Sequence, residues 1–204
     1  DINTKKYKTV PSSENHYILD AFRENKQILK NPECTVHDIG DGVMCIEFQT
    51  KGNSIGEGIA KGINEAIDIA EKDGWNGIVI GNNDKQFSVG ANLMNMGMMA
   101  MQKNFDEIEK FLVGFQKILM RMRTCNVPVV SATHGFVLGG GLEVSIHCDA
   151  GIHASESYIG LVEAGVGLIP GGGGTKEMAM RASDSFNSGD VKMPSLIDHF
   201  KSIA

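Results

Sequence analysis

The chain has 204 residues, of which 42% are hydrophobic and 22% charged, with a formal net charge of −6. That length suits one domain of about 100 to 200 residues, and no run approaches the ~18 apolar residues a membrane span needs. The acidic balance argues against a general nucleic-acid binder and leaves at most a local basic patch for an anionic ligand.

Residues 1–36 read as a polar linker or arm, with lysines at 5, 6 and 8 and at most a short helix within "YILDAFRENKQIL"; the domain is assigned to 37–204. Its first strand is expected at "GVMCIEF", 42–48, an apolar run behind an Asp-Gly turn, and "QTKGNSIG" is the loop that leaves it. In 56–73, Ile59, Ile63, Ile67 and Ala70 recur at steps of three and four, one face of an amphipathic helix that Gly74 closes. "WNGIVIG" is the second strand. The five methionines of "NLMNMGMMAMQ", 92–102, read either as packing by adaptable side chains or as a pliable wall for an apolar ligand. Phe105, Ile108, Leu112, Phe115, Leu119 and Met122 then repeat at steps of three and four, which predicts a helix over 105–122 with a buried stripe.

"VPVVSA", 127–132, is the third strand, a helix follows from about Gly140 to His147, and "DAGIHA" is the fourth strand. Strands alternating with helices predict an α/β architecture with parallel strands and right-handed crossovers. Ligands gather beyond strand ends in such folds, which points to the loops 82–93, 133–140 and 155–174.

Cys34, Cys45, Cys125 and Cys148 form no CxxC pair and stand near no histidines at ligand spacing, so they are expected to be reduced structural thiols. HExxH is absent and no metal is expected. The start at Asp1, with no methionine and no signal-like apolar segment, suggests a piece of a longer cytoplasmic polypeptide. Ile197 and Phe200 look like the start of a helix that further residues would complete.

The stretch "GFVLGGGLEVSIHCD", 135–149, places three glycines in front of a glutamate that opens an apolar run. Each glycine costs roughly 0.5 to 1 kcal/mol relative to alanine in regular structure, so the run implies a close approach of backbone to something. A dinucleotide fingerprint fails, because Val144 follows Gly139 and Gly141, and Pro170 follows Gly165 and Gly167, where a third glycine is required. "GGGGTK" reverses the order a P-loop needs, and the GxSxG nucleophile elbow is missing. Two uses remain: a plain tight turn, or an oxyanion hole made of backbone N–H groups at a helix start.

The segments "FSVGANL", 87–93, "HGFVLGGGLEV", 134–144, and "IGLVEAGVGLIPGGGGTKEM", 159–178, in this order and spacing, resemble the signature of the crotonase, or enoyl-CoA hydratase/isomerase, superfamily. The resemblance covers about residues 38–181 and is nearest to the hydratase region of bacterial proteins fused to a 3-hydroxyacyl-CoA dehydrogenase. It implies the α/β crotonase spiral of ββα units. It also implies that the N–H groups of Ala91 and Gly140 hold a thioester oxygen and that Glu143 and Glu163 are the paired acid and base. Addition of water across a conjugated C=C needs a base for the water, an acid for the α-carbon and a hole for the enolate-like oxygen.

The expected reaction is hydration of a trans-2-enoyl-CoA to a 3-hydroxyacyl-CoA in fatty acid β-oxidation. Lys51 and Lys85, in loops after strands, are candidates for the CoA phosphates, and the resemblance adds Asn53, Val89, Asn92, Leu93 and Gly139 as substrate contacts. Asn92 replaces the family's usual aspartate and is expected to shape its loop. The expected partner is an acyl-CoA thioester, whose coenzyme A is part of the substrate, with no other cofactor, nucleic acid or membrane. A homotrimer and a covalent fusion to a dehydrogenase domain are admitted. Two other readings stay open: a Δ3-Δ2 enoyl-CoA isomerase, which needs one carboxylate, and a non-catalytic CoA-binding scaffold.

Overall fold

The computed structural model describes residues 4–6, 17–23 and 26–187, so the expected helix start at Ile197 and Phe200 lies outside the described residues. Helix α2 (Glu57–Asp73) buries Ile59, Ala60, Ile63, Ala66, Ile67 and Ala70, the stripe its three-and-four spacing predicts, and ends where Gly74 turns left-handed at φ 72°. This helix joins two parallel strands, β3 (Val43–Phe48) and β4 (Gly77–Ile80). Helix α4 (Phe105–Thr124) carries the chain on to β5 (Val129–Thr133), and α5 (Gly140–His147) carries it to β7 (Ala150–His153), each again parallel to its neighbour. The expected parallel α/β core is therefore present.

The sheet also extends where a polar arm was expected. Strands β1 (Gln27–Lys30) and β2 (Cys34–Gly40) add antiparallel pairs, so the six-stranded order is β1-β2-β3-β4-β5-β7. Gly40–Val43 closes β2 onto β3 through a two-residue turn, with positive φ at both Asp41 (53°) and Gly42 (72°), the geometry that matches strand twist. Cys34, Thr35, Val36 and His37 are buried in succession, so β2 hides both of its faces there although its residues alternate apolar and polar. The short helix α1 (Asp20–Arg23) is tied to this edge: Leu19 is buried, and Arg23 pairs with Glu47, which also meets His37 at 3.1 Å.

In α4 the expected stripe is buried only from Phe115 onward, at Phe115, Leu119 and Met122. Phe105 is exposed and Ile108 and Leu112 half-buried, because that half of α4 lies beside α3 (Leu93–Met101), which has no buried residue of its own. A second, two-stranded sheet pairs β6 (Phe136–Leu138) with β8 (Tyr158–Gly160). Helix α6 (Gly174–Asn187) follows a 3-10 turn at Glu163–Val166. Cys34, Cys45 and Cys148 are free and buried, and burial pushes their thiols up to about 11, 12 and 12, which keeps them protonated hydrophobes. Among the described residues, no helix is long and apolar enough to cross a membrane and no three metal-ligating side chains cluster.

The packing of α2 on β2 is tight enough to test. A Cβ on Gly62 would collide with Cys34 Sγ but would stand 3.8 Å from Cys34 Cβ. Alanine gains about 1 kcal/mol of helix propensity, while overpacking costs about 1 to 3. Gly62→Ala is expected to lower unfolding free energy by about 1 kcal/mol in urea titrations, and adding Cys34→Ala should recover most of it; additive losses in the double variant would contradict this contact.

Candidate active site

The segment 88–92 is pinned from both sides before α5 arrives. Ile55 N–H donates to Gly90 O at 2.7 Å and Asn92 N–H to Ile55 O at 3.0 Å. Ser88 Oγ donates to Asn53 O at 2.7 Å and accepts from Gly90 N at 3.1 Å, while Leu138 N–H donates to Ser88 O at 3.0 Å. The first turn of α5 then comes in at distances that exclude side chains. A Cβ on Gly141 would lie 2.7 Å from Ser88 Cβ, and one on Gly90, where φ is 93°, would lie 2.8 Å from Leu138 O and 3.1 Å from Gly140 N. Gly139 adopts φ 50° and ψ −123°, a conformation that only glycine takes readily, and its Cβ would meet Glu163 Oε1 at 3.1 Å. The glycines are therefore there for close approach.

What this creates is a pair of adjacent amides. A Cβ on Gly140 would stand 3.4 Å from Ala91 N, so the two backbone segments are close neighbours. Neither N–H donates to a carbonyl in the turns, bridges and caps of the described residues. The N–H of Gly140 is also one of the unpaired donors at a helix start, where the helix dipole favours negative charge.

Two carboxylates meet this turn. Glu143, one turn into α5, is 2% exposed, and its Oε1 accepts from the N–H groups of Gly172 and Gly174, each at 2.8 Å. Burial pushes its proton affinity above that of an ordinary carboxylate, the three amides of 172–174 oppose the shift, and the nearby charge of Glu163 adds to it. Glu163 opens the 3-10 turn with its Oε1 against Gly139, and its Oε2 is buried without a hydrogen-bond partner. Burial raises it as well, opposed only by its own backbone N–H. Both carboxyl groups therefore hold their protons more tightly than an exposed glutamate.

The other expected residues divide. Val89, Asn92 and Leu93 lie on the pinned segment, Val89 and Leu93 exposed, and Asn92 Oδ1 caps α3 by accepting from Asn95 N at 3.3 Å, the loop-shaping role expected of it. Lys51 and Lys85 are exposed on adjacent loops, joined by the bond from Val89 N–H to Gly52 O at 3.1 Å and by Asn53 Nδ2 donating to Gln86 O at 2.9 Å. Asn53 itself is buried, and its side chain is spent on that tie. Sequence reasoning missed Gly172 and Gly174 as the holders of Glu143, and Ser88 as the pin. The four-glycine run at 171–174 is the available signal, but tested as a phosphate loop and counted in the third motif it says nothing of a partner for Glu143. Met94, Met98 and Met101 on α3 are exposed close to Asn92 in sequence.

The model of one protein family, enoyl-CoA hydratase/isomerase, matches residues 38–189. A Bacillus subtilis (strain 168) protein named "Probable 3-hydroxyacyl-CoA dehydrogenase" is 40% identical over 173 residues, 84% of this chain and 22% of that protein. A short-chain-enoyl-CoA hydratase of Clostridium acetobutylicum is 36% identical over 102 residues, 50% of this chain and 38% of that one. The chain thus spans a minor part of either relative. Among solved structures, an enoyl-CoA hydratase from Polaromonas sp. JS666 superposes with a TM-score of 0.69 at 23% identity, covering 81% of this chain and 67% of that one. The fold is the crotonase fold.

The raised carboxylates also bear on stability without any ligand. A group whose proton affinity is higher in the folded state favours folding while it is protonated, and that contribution is lost as pH rises through the folded value. Glu163→Gln removes the half-buried charge and should therefore raise the melting temperature at pH 8 by roughly 2 to 4 °C, with the gain fading toward pH 4. Calorimetry across that range checks it; a variant less stable than the parent at pH 8 would count against the buried, unpaired placement of this carboxylate.

Proposed function

Because the chain belongs to the enoyl-CoA hydratase/isomerase family, we propose that it adds water to a trans-2-enoyl-CoA to give a 3-hydroxyacyl-CoA, with the thioester oxygen between the N–H groups of Ala91 and Gly140. The observation that carries this reading is the meeting, around the start of α5, of Glu143 and Glu163, both more basic than usual, with the amides of Ala91 and Gly140, neither of which donates to a carbonyl in the turns, bridges and caps of the described residues.

The geometry suggests distinct roles. The amides of Gly172 and Gly174 favour the anion of Glu143, so Glu143 is the base that takes a proton from water as the water oxygen bonds to C3. The C2=C3 electrons move toward the thioester, whose oxygen gains negative charge against the two N–H groups. Glu163, whose Oε2 has no partner to favour its anion, supplies the proton that C2 takes up as the enolate collapses. One water is consumed, H and OH are added, and both carboxyl groups return to their starting states by exchanging a proton with solvent. The exposed Lys51 and Lys85 suit the phosphates of the CoA moiety.

A 3-hydroxyacyl-CoA is the substrate of the dehydrogenase for which the Bacillus subtilis relative is named, so we place this chain in fatty acid oxidation, beside or fused to such an activity. Consumption of the product on the spot pulls the hydration forward.

Glu143→Gln and Glu163→Gln should each nearly abolish hydration, followed as loss of the conjugated-thioester absorbance, while acyl-CoA affinity by calorimetry stays within a few-fold. The double variant should be little worse than either single one. Turnover of a 3-enoyl-CoA that depends on Glu163 and not on Glu143 would assign the isomerase reaction instead, and an inert parent chain would assign the scaffold. Separately, Gly140→Pro deletes one N–H at a helix position where proline is tolerated, and kcat should fall about a hundredfold or more with little change in melting temperature. An active Gly140→Pro variant would remove this amide from the hole.

A further inference from the structure

Behind the amides that hold Glu143 lies a buried polar chain that the hydration chemistry does not itself use. Glu177, in the first turn of α6, is fully buried, yet it carries a carboxylate. Arg123 at the end of α4 donates to its Oε2, Lys176 Nζ stands 2.7 Å from its Oε1, and its own N–H donates to Gly173 O at 3.0 Å. Burial alone would push this carboxyl up, but Lys176 and Arg123 outweigh it and hold it below the ordinary range. It is a fixed anion at the base of the 172–174 loop.

His147 completes the chain. Its Nδ1 lies 2.7 Å from the carbonyl oxygen of Glu143, and since a carbonyl only accepts, Nδ1 carries the proton and Nε2 does not. That Nε2 is 3.5 Å from both Lys176 Nζ and Glu177 Oε1, so Lys176 is the group that donates toward it. Burial lowers the proton affinity of the ring and keeps it in this neutral form. A Cβ on Gly173, where φ is 104°, would stand 3.6 Å from the His147 ring and from Lys176 Cε, so the loop lies directly on these two side chains. Glu143 is thus gripped twice from one cluster: by its main-chain oxygen through His147, and by its Oε1 through the amides of a loop seated on Glu177.

We propose that Glu177 and His147 are positioning residues that fix the carboxylate of Glu143 by locking the 172–174 loop and the start of α6 against the end of α5. Neither touches substrate; both act through Glu143. This rests on the hydration reading above only where activity is measured. The charged and titratable groups facing Glu143 directly or across the loop are Glu163, His147, Lys176, Glu177 and Arg123.

The test is Glu177→Gln in the full chain, with Lys110→Ala as a surface control. The control breaks an exposed pair with Glu107 on the far end of α4. Two measurements are made. Amide hydrogen exchange at Gly172 and Gly174 should speed up at least about tenfold in Glu177→Gln and stay unchanged in the control. For hydration of a short enoyl-CoA, kcat should fall about ten- to a hundredfold, KM should stay within about twofold, and the acid limb of the kcat profile should move to higher pH, because weaker amide bonds make Glu143 more basic. If the parent chain shows no turnover, the hydration reading fails while the exchange experiment still decides the positioning. Should Glu177→Gln not fold, His147→Gln, which keeps a nitrogen donor, is put through the same measurements with the same expectations. Unchanged exchange at both glycines, or a loss of kcat with the acid limb in place, overturns the proposal.

Discussion

The site depends on one steric constraint: main chain meets main chain at α5, with no side chain between. Gly90, Gly139, Gly140 and Gly141 bring the 88–91 segment, the helix start and Glu163 to within a few ångströms of one another, and a methyl group at three of the four positions would force them apart. At the fourth, Gly140, it would come to 3.4 Å from Ala91 N. Much else follows from that approach. The Ser88 hydroxyl has to bridge Asn53 and Gly90 because the segment has no slack, and β6 has to pair with β8 to deliver Glu163.

Three buried glutamates and one half-buried one show how the fold assigns charge. Glu47 and Glu177 each have an arginine and a further cationic or histidine partner, and both are held below the usual carboxylate range in spite of burial. Glu143 and Glu163 have backbone amides but no cationic side chain, and both are raised. Desolvation pushes up all four; the difference lies in whether a side-chain cation was brought to them. The first pair ties α1 to the sheet and α6 to α5.

How much of this was legible in the sequence varies with the physical signal. The α2 stripe was readable because a helix packed on one face of a sheet repeats its apolar residues at three and four, and the glycines were readable because nothing else accounts for their cost. Strand β2 was passed over: its alternation is only four residues long, and its polar members Thr35 and His37, which read as solvated, are buried because α2 packs on the strand and His37 meets Glu47 under Arg23. The α4 stripe promised more burial than it received, since periodicity states which side is apolar and not whether a neighbour exists to cover it. At the site, Glu143, Glu163 and the amides of Ala91 and Gly140 were singled out by motif, but the amides of Gly172 and Gly174 come from a loop 29 and 31 residues past Glu143 and could be joined to it only by the fold.

Helix α3 puts Met94, Met98 and Met101 on the surface and buries nothing, immediately after the residue that caps it beside Ala91. Thioethers so placed are open to a diffusing peroxide, as are those of Met120 and Met180, whereas Cys34, Cys45 and Cys148 are sealed in the interior as neutral thiols. Oxygen transfer to the α3 methionines leaves the packed core untouched and turns the surface that follows Ala91 and Asn92 from apolar to polar, a lesion that sulfoxide reductases reverse.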